Sequence, residues 1–427
     1  MGCLRCSVFD GVKTMDALRT NPQLDLFQTV QSAYKGGSLV NADLYMQLVQ
    51  KGALKTEQLA ERDVEDQHGR RYSGAKRQVR WIQQSLKKLG LLESVGMRGE
   101  WRLTERGRLG VTPAQPRQVL LGFSTTLGIA LWGSCNDVFS KLDEPISLCL
   151  TSPPYPLAKA RAYGNPEEAQ FVDWICTMLE PIVKSLMPGG SVVLNVSNDI
   201  FLKGSPARSL YRERMVLALH DRLGLFKMDE LIWHNPCKPP GPIQWASKER
   251  FQLNVAWEPV YWFTNDPSKV RSNNQRVLKP HTKKHAATIA AGGETTERVN
   301  CDGAYRVKRG AYANPTAGRI PRNLMAVRHN CADQEAYKAF CRDAGLQTHG
   351  AAMPLDLASK LINFMTEPDD LVVDPFGGSF TTAKAAELAG RRWLSTDLMA
   401  EYVIGGASRF EACSGFDQQL LASHLVN

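Results

Sequence analysis

The segment Thr151-Ser152-Pro153-Pro154-Tyr155 gathers a hydroxyl, prolyl carbonyls and an aromatic ring at one point of the chain. Tyr155 offers a face on which a flat group can stack, while Ser152 and a prolyl carbonyl can accept hydrogen bonds from an amino group. A nucleobase has both features. Consecutive prolines lack an N–H and fix φ, so they end a sheet ladder and stiffen the loop that follows. The apolar run 146–150 in front of them reads as a buried strand. Ser152, Pro153, Pro154 and Tyr155 are therefore expected at the carboxyl end of a strand, where open α/β sheets bind their ligands.

A second apolar run, 371–373, ends in Asp374-Pro375-Phe376-Gly377-Gly378-Ser379-Phe380-Thr381-Thr382, and 383–389 continues as a helix. Glycines let backbone approach a ligand closely, and the N–H groups at a helix start favour an anionic group such as a carboxylate. A further strand then ends in Asp397, 23 residues beyond Asp374, about where a ribose-binding acid sits in dinucleotide folds.

With these two motifs, the chain resembles the β class of DNA amino-methyltransferases, which act on N6 of adenine or N4 of cytosine with S-adenosylmethionine. In that class the target-base motif (Asp/Asn/Ser)-Pro-Pro-(Tyr/Phe) precedes the cofactor motif Asp-Pro-Phe-x-Gly-Ser-Gly-Thr-Thr, as here. Trp233 to Lys238, Arg250 and Trp257 to Phe263 resemble the strands and hairpin after the target-base motif. His349-Gly-Ala-Ala-Met-Pro354 resembles the segment before the cofactor motif. The resemblance covers about 118–410 and implies a Rossmann-like α/β fold with a mostly parallel sheet. It implies that Ser152 to Tyr155 engage a base flipped out of double-stranded DNA. Asp374, Phe376, Gly377, Gly378, Ser379, Thr381, Asp397, His349 and Ser134 would hold the cofactor. Two departures stand out: Phe380 occupies a glycine position of the motif, and Ser134 follows Gly133 where an acid is usual. Cys237 follows a proline, as the nucleophile of C5-cytosine enzymes does, but the accompanying motifs are absent and it reads as incidental. Between the two bases the sequence leaves the choice open; in the family Ser at position 152 often accompanies cytosine, and some adenine enzymes carry it too.

The chain has 427 residues, a net charge of +9 and 43% apolar residues, which suits two or three domains and a polyanionic partner. No run of 18 apolar residues predicts a membrane span, and the N-terminus lacks a signal-peptide core. Ten scattered cysteines, with one isolated Cys3/Cys6 pair, predict free thiols in a reducing cytoplasm rather than a metal centre. The expected setting is the cytoplasm of a bacterium or a phage-infected cell, at the nucleoid.

Four regions follow along the chain. Residues 1–25 read as weakly ordered. Residues 26–112 read as a small winged-helix-like domain, with a helix over 73–89 and a wing near 90–104. Its Arg70, Arg71, Arg77 and Arg80 would face DNA phosphates if that helix enters a groove; such domains also serve as protein contacts. Residues 118–263 and 331–427 form the catalytic domain. Residues 264–330 are a basic stretch with little apolar periodicity, corresponding in the family to the target-recognition region. Arg271, Lys279, Lys283, Lys284, Arg306, Lys308 and Arg309 are its candidate DNA contacts, joined by Lys159 and Arg161 in the loop after Tyr155. The resemblance also implies a two-fold dimer on DNA, and either a cognate restriction endonuclease or a solitary regulatory role. Competing readings are a methyltransferase acting on RNA or protein, and a catalytically inert regulator that binds DNA through the winged helix.

Overall fold

The computed structural model describes residues 26, 29–30, 32–65, 71–88, 92–96, 99–104, 113–157 and 165–420. Arg70, Lys159 and Arg161, named above, lie outside them.

The N-terminal region has its own core. Strands β1 (Leu39–Val40), β4 (Leu92–Ser94) and β5 (Glu100–Leu103) form an antiparallel sheet in the order β1-β5-β4, and β2 (Val64–Glu65) pairs with β3 (Arg71–Tyr72). Helices Asn41–Gln50, Thr56–Ala60 and Gly74–Lys88 accompany them. Val79, Ile82 and Leu86 recur at helical spacing and pack on Leu44, Leu48, Leu92 and Trp101. That spacing leaves Arg77 and Arg80 exposed on the outer face, with Arg71 exposed beside them.

The two apolar runs flanking the motifs become neighbouring parallel strands in a ten-stranded sheet. Its strands are β6 (Leu120–Ser124), β7 (Gly128–Trp132), β8 (Ile146–Thr151), β9 (Leu186–Asn195), β10 (Phe226–His234), β11 (Trp257–Thr264), β14 (Leu324–Ala326), β15 (Leu371–Asp374), β16 (Arg392–Asp397) and β17 (Asp417–Gln418). The order is β14-β10-β11-β9-β8-β15-β16-β7-β6-β17, with β9, β8, β15, β16 and β7 mutually parallel. Every residue of β8 and β15 is buried, because both faces of the sheet are covered. Leu148, Leu150 and Val372 enter one core, and Ile146, Cys149 and Val373 the other. Two-sided burial explains why these strands read as continuous apolar runs rather than alternating ones.

Topology creates the crevice. From β8 the chain passes through helix Phe171–Lys184 to β9, while from β15 it passes through helix Thr381–Leu388 to β16 on the opposite side. The first helix packs in one core and the second in the other. The loops after β8 and β15 therefore diverge, which is the switch point where open α/β sheets bind ligands.

Residues 264–330 are more structured than their composition suggests. They hold helix Lys283–Ala290, the hairpin of β12 (Arg298–Asn300) and β13 (Tyr305–Val307), and β14, which pairs with β10 in the main sheet. These elements are too short to generate a readable period.

Candidate active site

Thr151 and Thr382 tie the two motifs together. Thr151 Oγ1 donates to Asp374 Oδ1 at 2.6 Å, and Thr382 Oγ1 donates to the Leu150 carbonyl at 3.1 Å. Asp374 also accepts from the Phe376 N–H at 3.0 Å, closing the turn after β15. Burial nonetheless raises its carboxyl from 3.8 to about 6. Asp397, at the end of β16, accepts from the Met399 N–H at 2.8 Å and from the Gly378 N–H at 2.7 Å. Burial raises it to about 7, against the lowering effect of those two bonds.

The glycine turn needs its glycines. A Cβ on Gly377 would come within 2.6 Å of Ser395 Oγ, and one on Gly378 within 2.9 Å of the His349 ring. Gly378 also has φ +54°, a conformation that disfavours a side chain. His349 thus sits directly over the turn, edge-on to Tyr402. Phe376 stacks against Trp174, ring centroids 5.3 Å apart.

Phe380 takes up the left-handed conformation, φ 58° and ψ 35°, at the N-cap of helix Thr381–Leu388. That conformation is the physical reason for glycine in the family motif. The fully buried Phe380 ring packs among Phe123, Gly406 and Gly377. It points into the core rather than into the crevice, so this departure leaves the crevice open.

Ser152, His349, Met353, Asp374, Phe376, Gly377, Ser379, Thr381 and Thr382 line one cavity. A second cleft, of about 540 Å³, is lined by Tyr155, Asn195, Ser197, Trp233, Asn235, Lys238, Trp257, Glu258, His329 and Asn330. That size falls within the range of small-molecule sites, about 300–1,000 Å³. Ala351 and Ala352 border both. Ser152 Oγ, on the first, lies 2.9 Å from the Tyr155 hydroxyl, on the second. The buried Asn165 amide donates to the Tyr155 carbonyl at 2.6 Å and holds the loop. The two cavities adjoin beside Ser152; the first holds about 20 Å³ as it stands, and the second is the one of ligand size.

Most sequence-predicted residues converge here: Ser152 and Tyr155, Asp374 to Ser379, Thr381, His349 and Asp397. Ser134 follows β7, whose Trp132 pairs with Asp397, and begins helix Cys135–Phe139 without a side-chain cap. Asp137 accepts from the Arg117 N–H at 3.1 Å.

The basic residues divide. Arg271 reaches Asp370 at 3.1 Å and Glu367 at 2.9 Å, bonds that tie the insert to the body of the sheet. Arg306 pairs with Glu297. Lys283, Lys284, Lys308 and Arg309 are exposed, with no carboxylate partner among the described residues. Lys279 is half-buried.

Sequence reading missed Thr151, Thr382 and Arg409. The buried Arg409 donates to Thr381 Oγ1 at 2.9 Å and to the Ser379 carbonyl, and pairs with Asp333. It also missed Asn195, Lys238, Glu258 and His329 of the second cleft. Their signal is weak, since ordinary polar residues on separate strands and loops meet only after folding. Among the described residues no group of His, Cys, Asp or Glu could hold a metal ion, and no helix is long and apolar enough to cross a membrane.

Residues 146–405 match the N6_N4_Mtase family, DNA methylases, and residues 24–112 match the Mrr N-terminal domain. The type II methyltransferase M.PvuII of Proteus hauseri is 35% identical over 268 residues, 63% of this chain and 79% of that protein. The type II methyltransferase M.BglII of Bacillus subtilis is 25% identical over 264 residues, 61% of this chain and 62% of that protein. The solved structure of PvuII DNA methyltransferase (cytosine-N4-specific) matches with a TM-score of 0.53 and 30% identity, covering 73% of this chain and 93% of that one. Two motif-bearing loops meeting at a switch point, with these likenesses over most of the chain, place it: the chain belongs to the N6_N4_Mtase family of DNA methylases, and is a DNA amino-methyltransferase that uses S-adenosylmethionine.

Proposed function

We propose that the target is N4 of a cytosine, flipped from double-stranded DNA at one specific sequence. The likeness to a cytosine-N4-specific enzyme at 30% identity carries this choice, and Ser152 in the target-base motif agrees with it. The second cleft is the base site, and the cavity beneath the β15 turn is the cofactor site. The residues present fit the cofactor: side-chain-free backbone at Gly377 and Gly378 lies beside the Asp374 and Asp397 carboxyls, which are buried and accept from the Phe376 and Gly378 N–H groups. Phe376, Gly377, Gly378, Ser379, Thr381, His349 and Ser134 would surround the bound molecule, with Asp397 accepting ribose hydroxyls. S-adenosylmethionine supplies an activated methyl group.

The remaining work belongs to the chain. The amino nitrogen of a base is a poor nucleophile because its lone pair is delocalised into the ring. Ser152 Oγ and the Pro153 carbonyl accept its protons in hydrogen bonds and direct the lone pair at the methyl, while Tyr155 stacks on the ring. Its hydroxyl, 2.9 Å from Ser152 Oγ, orients that acceptor. Orientation of this kind can supply much of the barrier reduction. Asp374 fixes the loop rather than taking a proton.

Basic residues of the insert hold the duplex. Lys283 and Lys284 open helix Lys283–Ala290, where the helix dipole disfavours cations; contact with phosphates explains their position. Arg71, Arg77 and Arg80 give the N-terminal domain a second basic face, also assigned to DNA. The type II relatives support a role as the protective half of a restriction pair, in the cytoplasm of a bacterium or a phage-infected cell. A dimer on DNA is carried over from the family resemblance, and sedimentation with and without a target duplex tests it.

Expression in a methylation-free bacterial host, followed by modification-sensitive long-read sequencing, tests the central reading. One sequence bearing N4-methylcytosine is expected. N6-methyladenine would overturn the choice of base, and unmodified DNA from a host containing folded, cofactor-binding protein would overturn the substrate.

A further inference from the structure

The cleft assigned to the base has a rim with an unusual surface. Its wall is left by the chain at Pro239 and rejoined at Trp257. Between those feet the loop exposes Ile243 (63%), Phe251 (68%) and Leu253 (88%). Apolar side chains this exposed are normal singly and meaningful when grouped. The loop is built rather than slack. The Val255 N–H donates to the Gly241 carbonyl at 2.7 Å, the Phe251 N–H to the Trp245 carbonyl at 2.8 Å, and the Gln252 side chain to the Pro206 carbonyl at 3.2 Å. Val255 is buried beneath it. The same loop exposes Lys248 and Arg250, cations suited to flanking phosphates.

We propose that this loop is the wedge that enters the duplex when the target base leaves it, with Phe251 and Leu253 filling the vacated space. The inference rests on the proposed reading of the second cleft as the base site. Moving a base out of a duplex forfeits its stacking on both neighbours. Apolar wedges inserted between base steps restore part of that contact. A wedge must stand beside the pocket that receives the base, be exposed in the free protein, and be held rigidly enough to push. The loop meets all three conditions, and its two cations match the strand it would press against. Duplex DNA is thus the occupant that both the apolar and the charged residues fit.

The test uses the full-length protein, S-adenosylmethionine and two synthetic duplexes carrying the recognised sequence. In one the target base is normally paired; in the other it lies opposite an abasic site, so little remains to be broken. Single-turnover methylation is measured for the wild type, Leu253→Ala, Phe251→Ala and the double variant. The double variant is expected to be at least tenfold slower than the wild type on the paired duplex and within about twofold on the abasic one. Because both side chains are exposed, folding should be unaffected, and activity on the abasic duplex verifies it. Equal loss on both duplexes, or no loss on either, would overturn the wedge. Absence of methylation by the wild type on both would instead sink the reading of the site. Conversion of a wild-type dimer into monomers by the substitutions, with unchanged rates, would assign the patch to a second copy of the chain and overturn the proposal.

Discussion

Thr151 Oγ1 donates to Asp374 Oδ1 across 2.6 Å, joining the end of β8, which carries the base motif, to the end of β15, which carries the cofactor turn. Both residues are buried, so the bond is made where water cannot replace it. Thr151→Val keeps the shape and removes the donor, leaving Asp374 Oδ1 with the Phe376 N–H. A hydrogen bond to a charged group contributes about 1.5–3 kcal/mol. Thermal unfolding should fall accordingly, and cofactor affinity should weaken several-fold in calorimetric titration. Unchanged cofactor affinity would show that the two motifs are positioned independently.

The role proposed for Tyr155 has two parts that substitution can separate. Tyr155→Ala removes the stacking face and should nearly abolish methyl transfer while leaving cofactor binding intact. Tyr155→Phe keeps the face and loses the contact to Ser152 Oγ, 2.9 Å away, so a smaller loss, about tenfold in kcat, is expected. Asp374→Ala should weaken cofactor binding as well as turnover. Normal turnover by Tyr155→Ala or Asp374→Ala would contradict the assignment.

The buried acids give opposite pH trends in two measurements. Burial raises Asp374 to about 6 and Asp397 to about 7, from 3.8. The folded ligand-free protein therefore retains protons that the unfolded chain releases above about pH 4. The stability contributed by these groups is full below that point and is lost as pH rises to about 7. Cofactor affinity should run the other way if, as proposed, ribose hydroxyls donate to an ionised Asp397. Below about pH 7 affinity should fall by up to about tenfold per unit, as one linked proton requires. Titrations from pH 6 to 8 check the slope, which Asp397→Asn should flatten.

Arginine and lysine in the insert should separate by experiment. Arg271 is held by Asp370 and Glu367, so Arg271→Ala should lower stability by about 1–3 kcal/mol and leave the salt dependence of DNA binding unchanged. Lys283→Ala with Lys284→Ala should leave unfolding unchanged. It should reduce the slope of log affinity against log salt by about 2 if both meet phosphates.

Phe380 combines a strained backbone with a good fit for its ring. Phe380→Gly would relieve about 1 kcal/mol of left-handed strain and open a cavity worth about 3–5 kcal/mol. Denaturant unfolding should show a net loss of about 2–4 kcal/mol. A stabilised variant would mean that the ring contributes little to the core.

The two catalytic motifs were legible because each couples an apolar run to residues with special backbone demands. Prolines fix φ and glycines admit conformations that other residues avoid, whatever surrounds them, so the strand ends at Thr151 and Asp374 follow from the chain alone. Helix Gly74–Lys88 was legible for a similar reason, since Val79, Ile82 and Leu86 mark one face at helical spacing. Tertiary structure decided what depends on distant partners. The insert's elements are too short for a period, and β14 exists only because β10 is there to pair with it. Arg271 and Lys283 look alike in sequence, and only folding brings Asp370 to one and leaves the other in solvent. The direction of the Phe380 ring, the contact of Thr151 with Asp374 across 223 residues and the walls of the second cleft are likewise properties of packing, which no local pattern encodes.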